Sequence, residues 1–118
     1  HFAPRMTKQG VAVMASMSAR VSSIGDNRLG GWYSYRSSKA ALNQIVKTAS
    51  IELRRTNPNI ICVALHPGTV KTRLTDQFAP ANARPAQDAA RELIQVLQSL
   101  GLEDTGRLFD YQRRPIEW

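Results

Sequence analysis

The order strand, long helix, strand, helix, strand predicts an α/β fold on an open parallel sheet, and three observations in the 118-residue sequence carry that prediction. Two apolar runs, at 11–15 (VAVMA) and 59–66 (NIICVALH), lack the polar alternation of a half-exposed strand and read as strands buried on both faces. Between them lies a segment of about six helical turns with an apolar stripe. A strand, helix, strand unit of that length forms a right-handed crossover with its strands parallel.

The elements follow in order. Residues 1–10 read as a tail, the last turn of a helix ending at Gly10, with Phe2 and Met6 on one face. After the first strand comes a hydroxyl-rich stretch, Ser16 to Ser23, then Gly25-Asp26-Asn27-Arg28-Leu29-Gly30-Gly31, whose glycines and turn formers make a loop. The long helix starts at Tyr33 or Ser34, with Ser34 as a possible cap, and stops before Asn57-Pro58. Its buried stripe is expected to be Leu42, Val46, Ala49 and Leu53 with Ile45 on the edge, while Asn43, Lys47 and Arg54 point elsewhere. The second strand ends at Pro67-Gly68. The polar segment from Thr69 to Arg84 has the length of a binding loop or lid. A second helix is expected from Pro85 to Leu100, closed by Gly101, with Ala89, Leu93, Val96, Leu97 and Leu100 inward. Residues 106–111 read as a third short strand and 113–118 as a tail. The whole is one partial domain, 1–118.

Composition bounds the function. The net charge of +7 is spread along the chain, so a nucleic-acid arm is not indicated. His1 and His66 are too few and too distant for a zinc site, and a lone Cys62 excludes an internal disulfide. No apolar span approaches 20 residues and no signal-peptide pattern is present, which gives no membrane partner, no metal, and a cytoplasmic protein as the expectations.

The chemistry is concentrated in Tyr35-Arg36-Ser37-Ser38-Lys39. Residues four apart on a helix share a face, so a phenol and an ammonium leave the backbone side by side. A neighbouring cation and a helix N-terminus both favour a phenolate, and a phenol so placed can give a proton to a forming alkoxide or take one from an alcohol. In open parallel sheets ligands bind beyond the carboxyl ends of the strands. Ser16 to Ser23, Tyr35 with Lys39, and Pro67 to Thr72 all fall there.

With these residues in place the sequence resembles the short-chain dehydrogenase/reductase family in its catalytic half, and the insert DNRLGGWYSYRSSKAALN is similar to the C-factor and sniffer-type carbonyl reductases. The resemblance implies the C-terminal portion of a Rossmann-type doubly wound sheet, without the nucleotide-binding half. It implies an NAD(P)-dependent oxidoreductase in which Tyr35 is the general acid/base and Lys39 holds the nicotinamide ribose. Tyr33, about 120° from Lys39 around a helix, is the poorer acid. By position Pro67, Gly68, Thr69, Val70 and Thr72 would line the nicotinamide. The family's serine aligns with Ala19, which leaves Ser18, or Ser22 and Ser23 downstream, as replacements; the plain alternative is that these hydroxyls only satisfy the turn. The family also implies a small carbonyl or alcohol substrate and a homo-oligomer; its glycine-rich phosphate turn does not occur in this sequence, and NADP or NAD is not readable because that choice is written near the family's second strand. The alternative reading is a truncated, non-catalytic fragment that cannot hold the dinucleotide by itself.

Overall fold

A computed structural model describes residues 2–73, 75, 81 and 83–118. Three strands follow in parallel, β1 (Ala12–Met17), β2 (Ile60–His66) and β3 (Leu108–Asp110), and the two-residue β4 (Pro115–Ile116) joins β3 antiparallel, in the spatial order β1-β2-β3-β4. The helices α1 (Tyr33–Arg54) and α2 (Ala86–Ser99) cover opposite faces. The expected α/β sheet is present, and the tail at 113–118 contributes a strand that periodicity could not reveal in so few residues. The N-terminal tail holds a single 3-10 turn, Ala3–Arg5, instead of a helix running to Gly10, because Pro4 and a run of polar residues give it no face to bury.

Burial along β2 explains its unbroken apolar run. Ile61, Val63 and Leu65 pack with Val96 and Phe109, flanked by Leu93 and Leu97 of α2. Ala64 turns the other way and packs with Val46, Leu108 and Ile116, flanked by Leu42 of α1 and Trp118. β1 differs from expectation. It is the edge of the sheet among the described residues, and Met17 stays half-exposed, so the reading of a strand buried on both faces holds for β2 and not for β1.

The inward face of α1 also differs. Val46, Asn43 and Ser50 are its buried residues, whereas Ile45 is 64% exposed. Asn43, expected to point elsewhere, is buried because the serine-rich turn after β1 packs against that side of the helix and offers hydrogen bonds an apolar residue could not use. The start of α1 lacks a side-chain cap, so Ser34 does not serve as one. Instead Gly30, Gly31 and Trp32 adopt left-handed backbone in succession, and the Arg36 guanidinium holds the turn by donating to the carbonyls of Gly31 (2.9 Å), Gly30 (3.1 Å) and Val21 (2.9 Å).

The site is thus carried by β2 and the helices on either side. Replacing fully buried Ile61 by Ala removes part of the α2 face of the core, and a loss of about 2–5 kcal/mol is expected in chemical denaturation of the full-length protein. A loss below about 1 kcal/mol would mean that this packing does not hold α2 to the sheet.

Candidate active site

In parallel pairing Met17 lies beside Leu65 and His66 beside Asp110, and the ladder continues as the Ser18 amide donates to the Leu65 carbonyl at 2.8 Å. Ser18, His66 and Asp110 therefore follow one another across the carboxyl edge of the sheet, on the side of α1. The N-terminal turns of α1 cross this edge and bring Tyr35 to it. A cavity of about 430 Å³ opens there, lined by Ser18 to Val21 on one side, Trp32 and Tyr35 on another, and His66 to Val70 with Thr75 on the third. This volume falls in the range of small-molecule sites, about 300–1,000 Å³.

Tyr35 is 40% exposed and its ring meets Trp32 edge-on, centroids 6.2 Å apart. Lys39, half-buried one turn further on, donates from Nζ to the Met17 carbonyl at 2.9 Å and lies 5.9 Å from the Tyr35 ring centroid. That bond fixes an ammonium against the end of β1, on the side of the helix from which Tyr35 projects.

The three candidate serines separate. Ser18 lines the cavity, and its buried hydroxyl donates to Asn43 Oδ1 at 2.6 Å. Ser22 lies off the cavity, accepting from Asn43 Nδ2 at 2.6 Å and donating to the Ala19 carbonyl. Ser23, also buried and off the cavity, accepts from the Asp26 amide. Pro67, Gly68, Thr69 and Val70 reach the cavity wall, while Thr72 does not: its hydroxyl pairs with that of Thr75, which itself faces the cavity and bonds the Val70 carbonyl. Gly68 has φ +76°, and a Cβ there would stand 3.0 Å from the Tyr111 ring, so glycine is required. Arg84 holds the same turn from outside, donating to the Pro67 carbonyl at 3.1 Å, pairing with Glu92 and stacking on Tyr111. The rest of the expected binding loop, residues 74, 76–80 and 82, lies outside the described residues.

Sequence reasoning did not find Trp32, Arg36, Asn43 or His66. The only signal for Asn43 was its place eight residues beyond Tyr35 and four beyond Lys39, on their side of the helix. Nδ1 of His66 is buried and has no hydrogen-bond partner among the described residues. Burial and the Arg20 guanidinium lower its pKa from the ordinary 6.5, with Asp110 opposing them. Asp110 is itself held below the usual carboxylate value: burial works against ionisation, but the Arg114 and Gln112 amides and the Arg114 side chain outweigh it.

An open sheet with helices on both faces and a ligand-sized cavity at its carboxyl edge is the architecture of nucleotide-binding α/β proteins. Residues 1–83 match the family described as short chain dehydrogenase, and the chain belongs to that family. It is 37% identical over 115 residues to C-signal of Myxococcus xanthus, covering 98% of this chain and 66% of that protein. It is 34% identical over 108 residues to 1-hydroxy-2-glutathionyl-2-methyl-3-butene dehydrogenase of Rhodococcus sp. (strain AD45), covering 91% of this chain and 47% of that one. Among solved structures, the carbonyl reductase Sniffer of D. melanogaster superposes with a TM-score of 0.80 at 36% identity, covering 91% of this chain and 41% of that chain. NADPH-bound carbonyl reductase from chicken fatty liver gives 0.84 at 29% identity, covering 98% and 48%. The chain thus spans about two fifths to two thirds of the length of these relatives. Among the described residues no group of three His, Cys, Asp or Glu side chains could hold a metal, and no helix is long and apolar enough to cross a membrane.

Because folded His66 is the weaker base, the unfolded chain binds its proton more readily; the resulting stability is full above the ordinary histidine value and is lost as pH falls below it. An NMR titration is expected to show a His66 midpoint below 6.5, and a midpoint at or above 6.5 would contradict the described burial.

Proposed function

We propose that the protein containing this chain is an NAD(P)-dependent oxidoreductase that interconverts a carbonyl and an alcohol, with Tyr35 as general acid/base. The observation that carries this reading is Tyr35 opening onto an apolar cavity at the carboxyl edge of a parallel sheet, with Lys39 one turn behind it.

The residues present fit the nicotinamide end of a dinucleotide. Lys39 would donate to the ribose, the backbone of Pro67 to Val70 would line the ring, and Thr72, which does not itself reach the cavity, would act on the carboxamide through the cavity-facing Thr75 hydroxyl it pairs with. No glycine-rich turn for the pyrophosphate occurs among the described residues, so the remainder of the dinucleotide would rest on chain beyond these. The NADPH-bound chicken relative favours NADP over NAD. When bound, the nicotinamide supplies or accepts the hydride. Tyr35 gives its phenolic proton to the carbonyl oxygen as charge builds there and recovers it in the reverse direction. Ser18, alone of the three candidate serines, fronts the cavity, which supports it as the second donor to that oxygen.

The walls suit a substrate with an apolar flank. Ala19, Val21, Trp32, Pro67 and Val70 surround the tyrosine, and the Trp32 ring stands at its edge. Exposed Ile45 and Ile51 on the outer side of α1 support a homo-oligomer through that helix, and free, buried Cys62 fits a cytoplasmic setting.

In the full-length protein, Tyr35→Phe is expected to lower NADPH-dependent carbonyl reduction by a factor of about 10² to 10⁴ while leaving NADPH binding intact by calorimetry. Turnover retained in that variant would assign the proton to another group. Trp32→Ala is expected to reduce kcat/KM for an aromatic ketone about tenfold more than for a small aliphatic one; equal losses would place Trp32 outside the substrate's reach.

A further inference from the structure

We propose that Asn43 is a positioning residue whose carboxamide orientation decides whether Ser18 can donate a proton into the cavity. The inference rests on the reductase reading and on Ser18 as the second donor. Asn43 is 4% exposed, one turn beyond Lys39 on α1, and is shared between two serines. Its Oδ1 accepts from the Ser18 hydroxyl at 2.6 Å and its Nδ2 donates to the Ser22 hydroxyl at 2.6 Å, while Ser22 donates to the Ala19 carbonyl at 2.5 Å.

A serine hydroxyl carries one proton. In this arrangement the Ser18 proton is committed to Asn43 and turned away from the cavity that Ser18 lines. The two ends of a carboxamide occupy nearly the same space, so a half-turn of the Asn43 side chain exchanges them without repacking. Nδ2 then donates to a lone pair of Ser18, and Oδ1 accepts from Ser22, whose proton swings over from Ala19. The Ala19 carbonyl keeps a partner, because the Ser22 amide also donates to it at 3.0 Å. All the buried groups stay satisfied in both arrangements, but only in the second is the Ser18 proton free to meet a substrate oxygen as negative charge develops. An ionised aspartate could only accept, so it would hold Ser18 in the first arrangement, and an apolar residue would leave both serines without their buried partner.

The test is a double-variant cycle in the full-length protein, reading kcat for carbonyl reduction and KM for NADPH. Ser18→Ala is expected to lower kcat about 100-fold. Asn43→Ala and Asn43→Asp are each expected to lower kcat at least tenfold with the NADPH KM unchanged, and Ser18→Ala combined with Asn43→Ala to be no slower than Ser18→Ala alone. Should Asn43→Ala fail to fold, Asn43→Ser carries the same comparison. Losses that multiply in the double variant, or an Asn43 variant that melts earlier but turns over normally, would overturn the assignment while leaving the reductase reading intact. Normal kcat in Ser18→Ala would remove the donor and the assignment with it. Absence of NADPH-dependent turnover in the unsubstituted protein would instead overturn the reductase reading on which both stand.

Discussion

The packing of α1 across β2 is the constraint on which the site depends. Val46 seated against Ala64 and Leu108 fixes the helix over the sheet, and its N-terminal turns then extend past the strand ends. Once that contact is made, Tyr35, Lys39 and Asn43 have no freedom to be elsewhere: they recur at four-residue intervals on one side of a rigid helix. Two polar attachments complete the seating. Lys39 bonds the Met17 carbonyl at the end of β1, and Asn43 joins the serine turn that follows it. A shift of α1 along the sheet would break both at once, leaving the buried Asn43 carboxamide without its serine partners.

The walls of the cavity are held by a different device. Arg36, in the first turn of the helix, ties the Gly30–Gly31 turn to Val21, so the loop carrying Trp32 and the turn carrying Ala19 and Val21 are positioned together. Arg84 does the same for the turn after β2. Arg36 spends its forked donors on carbonyls alone, and Arg84 divides its own between the Pro67 carbonyl and the Glu92 carboxylate. Part of the positive charge spread along the sequence is thus structural, and Arg20, Arg113 and Arg114 likewise pair with the buried carboxylates of Asp104 and Asp110.

The sequence made some of this legible and hid the rest for identifiable reasons. β2 was readable because helices cover both its faces, so that six consecutive apolar residues had only one explanation. Tyr35 and Lys39 were readable because a helix of 22 residues fixes spacing unambiguously. Asn43 was not, since an amphipathic pattern assigns a polar residue to solvent, and only the presence of Ser18 and Ser22 across the gap makes burial favourable. The choice among the serines depended on whether each side chain faced the cavity or the turn, a distinction set by the strand register beyond Met17 and by the Ser22 to Ala19 bond. Trp32 gave no signal because its left-handed backbone follows from the two glycines before it and from Arg36, and is not a property of tryptophan.

The central claim is that a hydride passes at this edge of the sheet while Tyr35 moves the proton. Reduction of a ketone by the full-length protein with NADPH carrying deuterium at C4 of the nicotinamide, followed by mass analysis of the alcohol, measures that transfer directly. The account predicts one deuterium on the carbinol carbon, delivered from one of the two C4 positions only. An alcohol formed without label from either position would contradict it.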